Sequence, residues 1–219
     1  MIITIEGTDG SGKETQSKKL LEALEKMGYN VKLQSFPNYE SDSSFFVKKY
    51  LNGDFGGINS LSSKQSSVFF AIDRMCTMRE LEEFLQNDGI LILDRYVSSN
   101  ILHQASKIED ETQRDEFINW LENFEYNDLE LPVPDVTIFL NMPIEITKKL
   151  RENRQLKAGT KKDIHEDDEE YLQRCYSFGM NYAKKAGWKI VDCSYRDEPK
   201  EREIISNEIL EIVNQYIVK

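Results

Sequence analysis

A strand that runs straight into a glycine-rich loop decides more about this chain than any other stretch of it. Ile2-Ile3-Thr4-Ile5-Glu6 is apolar and β-branched, and Gly7-Thr8-Asp9-Gly10-Ser11-Gly12-Lys13-Glu14-Thr15 follows it without a break. A short apolar run of that kind suits a strand buried on both faces, as in a parallel sheet. The loop has the GxxxxGK spacing of a phosphate-binding P-loop. Glycine is needed there because backbone N–H groups must close around phosphate oxygens with no Cβ in the way. Lys13 supplies a mobile point charge to the β/γ-phosphates, and the helix that follows turns its positive end towards the same anion. A glycine-rich turn with a chance lysine is the plain alternative. The strand before the loop and the helical pattern after it argue against that. One position departs from the pattern. The residue after the lysine is ordinarily Ser or Thr, whose hydroxyl ligates Mg²⁺, and here it is Glu14. Its carboxylate can turn outward and favour the helix N-terminus, or reach the metal through water, and both readings stay open. Thr15 remains to hydrogen-bond a phosphate.

The rest of the chain keeps the strand–helix rhythm. Apolar, non-alternating runs predict strands at 2–6, 31–36, 89–93, 135–140 and 189–192. Helical periodicity predicts helices at 13–27, 63–84, 114–124, 144–154, 167–185 and 201–217. In the first of these Leu20, Leu21, Leu24 and Met27 share a stripe, and Gly28 stands where a C-terminal cap belongs. Such alternation predicts a doubly wound α/β fold, with ligands at the carboxyl ends of the strands. The 219 residues contain no repeat and no Pro/Gly/Ser linker, so one domain is expected. A formal net charge of −11 argues against a general nucleic-acid binder. No apolar run nears the ~18 residues of a membrane span, and no basic segment precedes Ile2, so neither a span nor a secretory signal is expected. Cys76, Cys175 and Cys193 show no CxxC spacing, and His103 and His165 are the only histidines. A disulfide framework and a Cys- or His-rich metal site are therefore poor readings, and a reducing cytoplasm is the better one.

Two further patterns bear on chemistry. Ile90-Leu91-Ile92-Leu93 ends in Asp94-Arg95-Tyr96. An apolar strand ending in Asp, downstream of a P-loop, reads as Walker-B-like, with its carboxylate delivered near Mg²⁺. Between Lys148 and Lys162 stand seven basic residues and one acidic one, Glu152, and between Asp163 and Glu170 stand six carboxylates. A solvated helix end accounts for the basic stretch as charge alone. Its functional alternative is an anion-binding lid.

Taken together, Ile5-Glu6-Gly7-Thr8-Asp9-Gly10-Ser11-Gly12-Lys13, Phe36-Pro37, Phe70-Ala71-Ile72-Asp73-Arg74, Leu93-Asp94-Arg95-Tyr96 and the segment running into Asp163-Ile164-His165-Glu166 resemble the thymidylate kinase family, in order and over nearly the whole chain. The resemblance implies a three-layer P-loop kinase fold, a five-stranded parallel sheet surrounded by helices, with a mobile lid over residues 151–165 of a single nucleoside monophosphate kinase domain, 1–219. It implies transfer of the ATP γ-phosphoryl group to dTMP with Mg²⁺, for dTTP synthesis, by a cytoplasmic homodimer. Phe70 and Arg74, one helical turn apart, are implied to stack on thymine and bond its O4. Core packing is the plain alternative for Phe70. Asn100 is implied at the base edge, His103 and Gln104 beside the deoxyribose, and Phe36, Pro37 and Tyr39 over the nucleotide. His103 stands where many members have Tyr, and a surface position is its plain alternative. Asp9 is implied near the 3′-hydroxyl and the metal, and Arg95 between donor and acceptor phosphates. Asp94 and Glu166 join Asp9 as metal residues, with Asp163 nearby. Some members carry an arginine after the loop aspartate, where this chain has Gly10. The other subgroup places the cation in the lid, which assigns Arg154 to the phosphates and Arg151 to adenine, with Lys157 a further candidate and Gly159 and Thr160 lending mobility. The rivals are another small nucleotide kinase, for UMP, CMP or a deoxynucleoside, and a low-turnover nucleotide-binding regulatory protein, for which Glu14 is the sequence argument.

Overall fold

The computed structural model describes residues 1–158 and 168–217, with side chains described outside 153–158. Strand β1 (Ile2–Glu6) is buried along its whole length. The glycine loop joins it to helix α1 (Lys13–Lys26), and β2 (Val31–Ser35) follows. A short helix α2 (Phe45–Leu51) precedes α3 (Ser63–Glu80). The start of α3 is fixed by a capping box: Ser62 Oγ accepts from Gln65 N at 3.2 Å and Gln65 Oε1 accepts from Ser62 N at 3.0 Å. Next come α4 (Glu82–Gln86), β3 (Ile90–Asp94), α5 (Val97–Ala105) and α6 (Glu111–Glu122). A π turn (Asn123–Asp128) continues α6. Strand β4 (Val136–Asn141), α7 (Ile144–Ala158), α8 (Glu169–Lys185), β5 (Lys189–Asp192), a hairpin of β6 (Ser194–Tyr195) with β7 (Glu198–Pro199), and α9 (Arg202–Ile217) complete the order.

The five main strands form one parallel sheet in the order β2-β3-β1-β4-β5. Ile3 stands opposite Ile92 on one side and Val136 on the other. Alternate side chains feed two cores. On one face Ile3, Ile5, Ile92 and Ile138 pack under Leu20 and Leu24 of α1 and Ile205, Ile209 and Val213 of α9. On the other, Leu91 and Leu93 pack with Met78, Tyr96 and Val97. Helices on both faces of a parallel sheet are the doubly wound arrangement that the sequence predicts.

The differences from expectation are local. The helix expected at 63–84 breaks at Leu81, whose φ of −98° and ψ of −2° end the ladder of α3. The break lets Leu81, Phe84 and Leu85 pack on the cluster around Leu91 and Leu93. Helix α2 was not foreseen; Val47, Tyr50 and Leu51 are its buried residues, under Phe55, Phe69 and Phe70. Residues 151–158, read as the start of a lid, belong to α7.

Ile92 is fully buried in the central core. Ile92→Ala is expected to lower the unfolding free energy by about 2–5 kcal/mol in urea titration, with the slope unchanged.

Candidate functional site

Backbone shape comes first at this site. Gly7 has φ 151° and Gly10 φ 85°, both in the region L-residues avoid. A Cβ on Gly7 would lie 2.7 Å from Ser11 Oγ and 3.0 Å from the Leu140 carbonyl oxygen; one on Gly10 would lie 2.9 Å from the Thr147 carbonyl and 3.0 Å from Arg151 Cγ. The loop is thus clamped between β4 and α7. Arg151, which is buried, strengthens the clamp: its Nη1 donates to the Asp9 carbonyl at 2.9 Å and to Thr147 Oγ1 at 3.0 Å. Lys13 closes the loop from inside, donating from Nζ to the carbonyls of Gly7 at 2.8 Å and Thr8 at 2.9 Å. Burial pushes the Lys13 pKa down to about 8; Arg95 adds to that, and Asp9, Asp94 and Glu6 oppose it.

The buried oxygens Thr8 Oγ1, Ser11 Oγ and Asp94 Oδ1 have no protein partner. Buried polar groups are nearly always satisfied, so these oxygens suit a ligand rich in phosphate and metal. Among the described residues no group of three or more His, Cys, Asp or Glu makes a metal cage. Asp94 with Asp9 nevertheless fits Mg²⁺, which takes one or two carboxylates and keeps phosphate oxygens and water for the rest. Burial raises the Asp94 pKa against the pull of Lys13 and Arg95. Glu14 is exposed and turns away, its Oε1 accepting from Lys18 Nζ at 2.6 Å. Of the two readings open in the sequence, the outward one is what the structure has. Thr15 is half-buried at the start of α1.

Arg95 follows β3 with φ 70°, a strained backbone for a non-glycine residue, costing on the order of 1–3 kcal/mol. Its N–H donates to the Ile5 carbonyl at 3.1 Å. Its side chain meets the Asp9 carboxylate, Ser99 Oγ at 3.4 Å and His103 Nε2 at 3.2 Å. Burial alone would lower its pKa, but Asp9, Glu6 and Asp94 outweigh that and raise it, so the guanidinium stays charged. A guanidinium has no acceptor, so His103 Nε2 must accept and the ring proton sits on Nδ1. Nδ1–H then donates to Tyr171 Oη at 3.1 Å, and that hydroxyl donates to the His103 carbonyl at 2.9 Å. His103 is therefore a buried residue bonded to Arg95 and Tyr171, not a surface position.

A cleft of about 110 Å³ opens beside Arg95. Asp9, Phe36, Pro37, Tyr39, Phe70, Arg74, Arg95, Asn100, His103 and Gln104, all ten residues expected at the acceptor, line this one cleft. Phe70 meets the Tyr50 ring edge-on at 6.0 Å. Gln104 accepts from Ser66 Oγ at 2.7 Å through Oε1, while its buried Nε2 has no partner. Arg154, Lys157, Gly159, Thr160, Asp163 and Glu166 lie outside the residues or side chains described.

Three carboxylates at the site were given no role by the sequence reading. Glu6, fully buried, accepts from Gly7 N at 2.9 Å, Ser98 Oγ at 2.8 Å and Ser99 Oγ at 2.7 Å. Asp73 accepts from Asn38 N at 2.8 Å and Ser43 Oγ at 2.7 Å, pinning the chain after β2 to α3. Glu125 pairs with Arg74, 51 residues away. Asp73 could have been noticed as Arg74's neighbour in sequence; Glu125 carries no sequence signal.

A family model described as thymidylate kinase matches residues 5–204. The chain belongs to the thymidylate kinase family. It is 32% identical over 192 residues to a thymidylate kinase of Mycobacterium tuberculosis, covering 86% of this chain and 87% of that one. A probable thymidylate kinase of Archaeoglobus fulgidus is 28% identical over 220 residues, covering 99% and 96%. A human thymidylate kinase is 26% identical over 208 residues, covering 93% and 87%. The residues the chain brings together at the P-loop and the cleft lie within the matched segment.

The low Lys13 pKa gives a pH prediction. Below about 8 the folded chain keeps the ammonium; between that and 10.5, where an unfolded lysine titrates, the folded chain holds fewer protons, so the burial penalty eases as pH rises. A polyphosphate on the loop favours the cation. Calorimetry of ATP binding in buffers of different ionisation heat is expected to show proton uptake at about pH 8.5, little near pH 6.5, and none in Lys13→Met.

Proposed function

We propose that the chain, as one domain, moves the γ-phosphoryl group of ATP to dTMP, giving ADP and dTDP. The observation that carries this reading is the position of Arg95. It sits where the P-loop meets the acceptor cleft, bonded to Asp9 of the loop and to Ser99 and His103 of the cleft. Two phosphates meeting there repel each other, and a permanent cation between them offsets that repulsion. No general base is required, because the attacking phosphate oxygen is already an anion. Catalysis is positioning and charge stabilisation. Lys13 leaves the Gly7 and Thr8 carbonyls for the β/γ-phosphates. Asp94 and Asp9, with Glu166, would hold Mg²⁺, whose charge neutralises the polyphosphate. Phe70 stacks on the base, Arg74 donates to its carbonyl, and Tyr39 and Phe36 close over it, with His103 and Gln104 on the sugar side. The resemblance assigns Arg154 to the phosphates and Arg151 to adenine; the Arg151 guanidinium holds the Asp9 carbonyl of the loop. The regulatory rival rests on Glu14, which pairs with Lys18 in solvent; Lys13, Asp94 and Arg95, gathered at the loop, speak against it.

ADP release is the test, with ATP, Mg²⁺ and in turn dTMP, dUMP, UMP, CMP and AMP. dTMP is expected to be the preferred acceptor, Lys13→Ala to abolish transfer, and Arg95→Ala to cost a factor of about 10³ in turnover. Preference for another monophosphate would overturn the acceptor assignment; ATP binding without acceptor-dependent release would overturn the kinase.

In the same reading two copies pair through α2 and α3. Phe45, Phe46 and Ile72 are 53%, 49% and 37% exposed. Phe46 stacks on Phe69 at 5.5 Å, and Ile72 lies one turn along from Phe69. Exposed apolar side chains on neighbouring helices support such a pairing. Ile72→Glu is expected to convert a dimer into a 25.6 kDa monomer in sedimentation velocity; a wild type already monomeric would overturn the pairing. The three free cysteines suit a cytoplasmic protein. Among the described residues no helix is long and apolar enough to cross a membrane.

A further inference from the structure

One buried charge behind the acceptor cleft has no part in the chemistry above. Glu125 is fully buried, the one buried residue of the π turn 123–128. π turns are rare and recur at functional sites. Glu125 Oε2 accepts from Arg74 Nε at 2.6 Å, and Oε1 accepts from Arg74 Nη2 at 2.7 Å and from Asn100 Nδ2 at 2.9 Å. Asn100 Nδ2 also donates to the Ser67 carbonyl at 3.2 Å. A carboxylate and a carbonyl only accept, so the NH₂ end of Asn100 must face them. Both of its N–H groups are then used, and Oδ1 alone is left for a ligand in the cleft that Asn100 lines. Arg74 likewise commits Nε–H and one N–H of Nη2, and keeps the second N–H of Nη2 and both of Nη1. One carboxylate therefore sets two points of the cleft: a donor from Arg74 and an acceptor from Asn100. Without it the Asn100 amide can turn over, since its two ends have nearly the same shape.

We propose that Glu125 is the positioning residue that fixes this order, and so makes the site read an imide edge, a carbonyl beside a ring N–H. The proposal rests on the reading above, in which Arg74 meets the base carbonyl. Asn100, presenting an acceptor beside Arg74, then requires an N–H at the next ring position. Thymine and uracil have one; cytosine has a bare nitrogen there and an amine in place of the carbonyl. The ion pair has little other reason to be buried, because an apolar replacement of similar volume is often as stable.

The test is Glu125→Gln, assayed by ADP release with dTMP and dCMP. Glutamine keeps the shape but turns an N–H₂ towards Arg74 or Asn100. The KM for dTMP is expected to rise about tenfold or more, with kcat within about threefold and the KM for ATP unchanged. The dTMP-to-dCMP ratio of kcat/KM is expected to fall at least about tenfold. Glu125→Asp keeps acceptor-only chemistry and should hold that ratio within about threefold of wild type. A folded Glu125→Gln with the wild-type ratio, or equal loss in both variants, overturns the proposal. If Glu125→Gln does not fold, the wild type decides: both Asn100 side-chain amide protons, followed by ¹H–¹⁵N NMR, should be protected from exchange before and after dTMP addition, and rapid exchange in the free protein overturns it. Wild-type protein that releases no ADP on dTMP addition overturns instead the acceptor reading beneath.

Discussion

Strands β1 and β3 end side by side and parallel, with Ile5 opposite Asp94, and Arg95 N bonded to the Ile5 carbonyl. That pairing brings two different chemistries to one spot. One strand delivers a cradle of backbone N–H groups; the other delivers a carboxylate and a guanidinium. Both arrive on backbone whose register is held by cores on two faces, so the side chains need little searching to meet. The left-handed φ of Arg95 belongs to the same arrangement. A strand cannot continue past that point, and the turn throws the guanidinium back towards Asp9 in place of following the sheet.

The charges at this junction are set against one another before any substrate arrives. Lys13 rests on two loop carbonyls, and Arg95 rests on Asp9, with Glu6 3.8 Å away. An anionic polyphosphate therefore replaces partners instead of creating order, which reduces the entropy lost on binding. It also explains why burial acts so differently on the two cations. Lys13 has mostly neutral carbonyls around Nζ, and desolvation lowers its pKa; Arg95 faces carboxylates directly, and they prevail over the same desolvation. One cation is adjustable and the other is fixed.

What was legible in the sequence was what is local. The P-loop, the strand ending in Asp94-Arg95 and the one-turn spacing of Phe70 and Arg74 are short patterns, each completed within a few residues, and the family resemblance ordered them. The five strands were readable because a strand buried on both faces must be apolar without alternation. Contacts between distant elements were not readable. Glu125 lies in an acidic, amphipathic stretch where a carboxylate looks like a solvated face, and only the packing of α6 against α3 and α5 turns it inward. The break in α3 has no glycine or proline to announce it; it comes from where Leu81 and Phe84 find apolar surface. The direction of Glu14 was undecidable in sequence because Lys18, one turn on, competes with the metal for it, and the structure gives the ion pair.

Gly10 ties the loop to the distribution of charge along the whole chain. Its Cβ position is filled by the Thr147 carbonyl and Arg151 Cγ of α7, and Arg151 bonds the Asp9 carbonyl from the same helix. Loop and α7 therefore behave as one packed unit. A side chain at position 10 would push α7 away and pull Arg151 from the backbone it holds. The loop cannot carry a cation of its own at that position while α7 sits where it does. Seven of the 28 basic residues stand instead between Lys148 and Lys162, with Lys148, Lys149 and Arg151 on α7 itself. The absence of an arginine inside the P-loop thus follows from one close contact between Gly10 and α7.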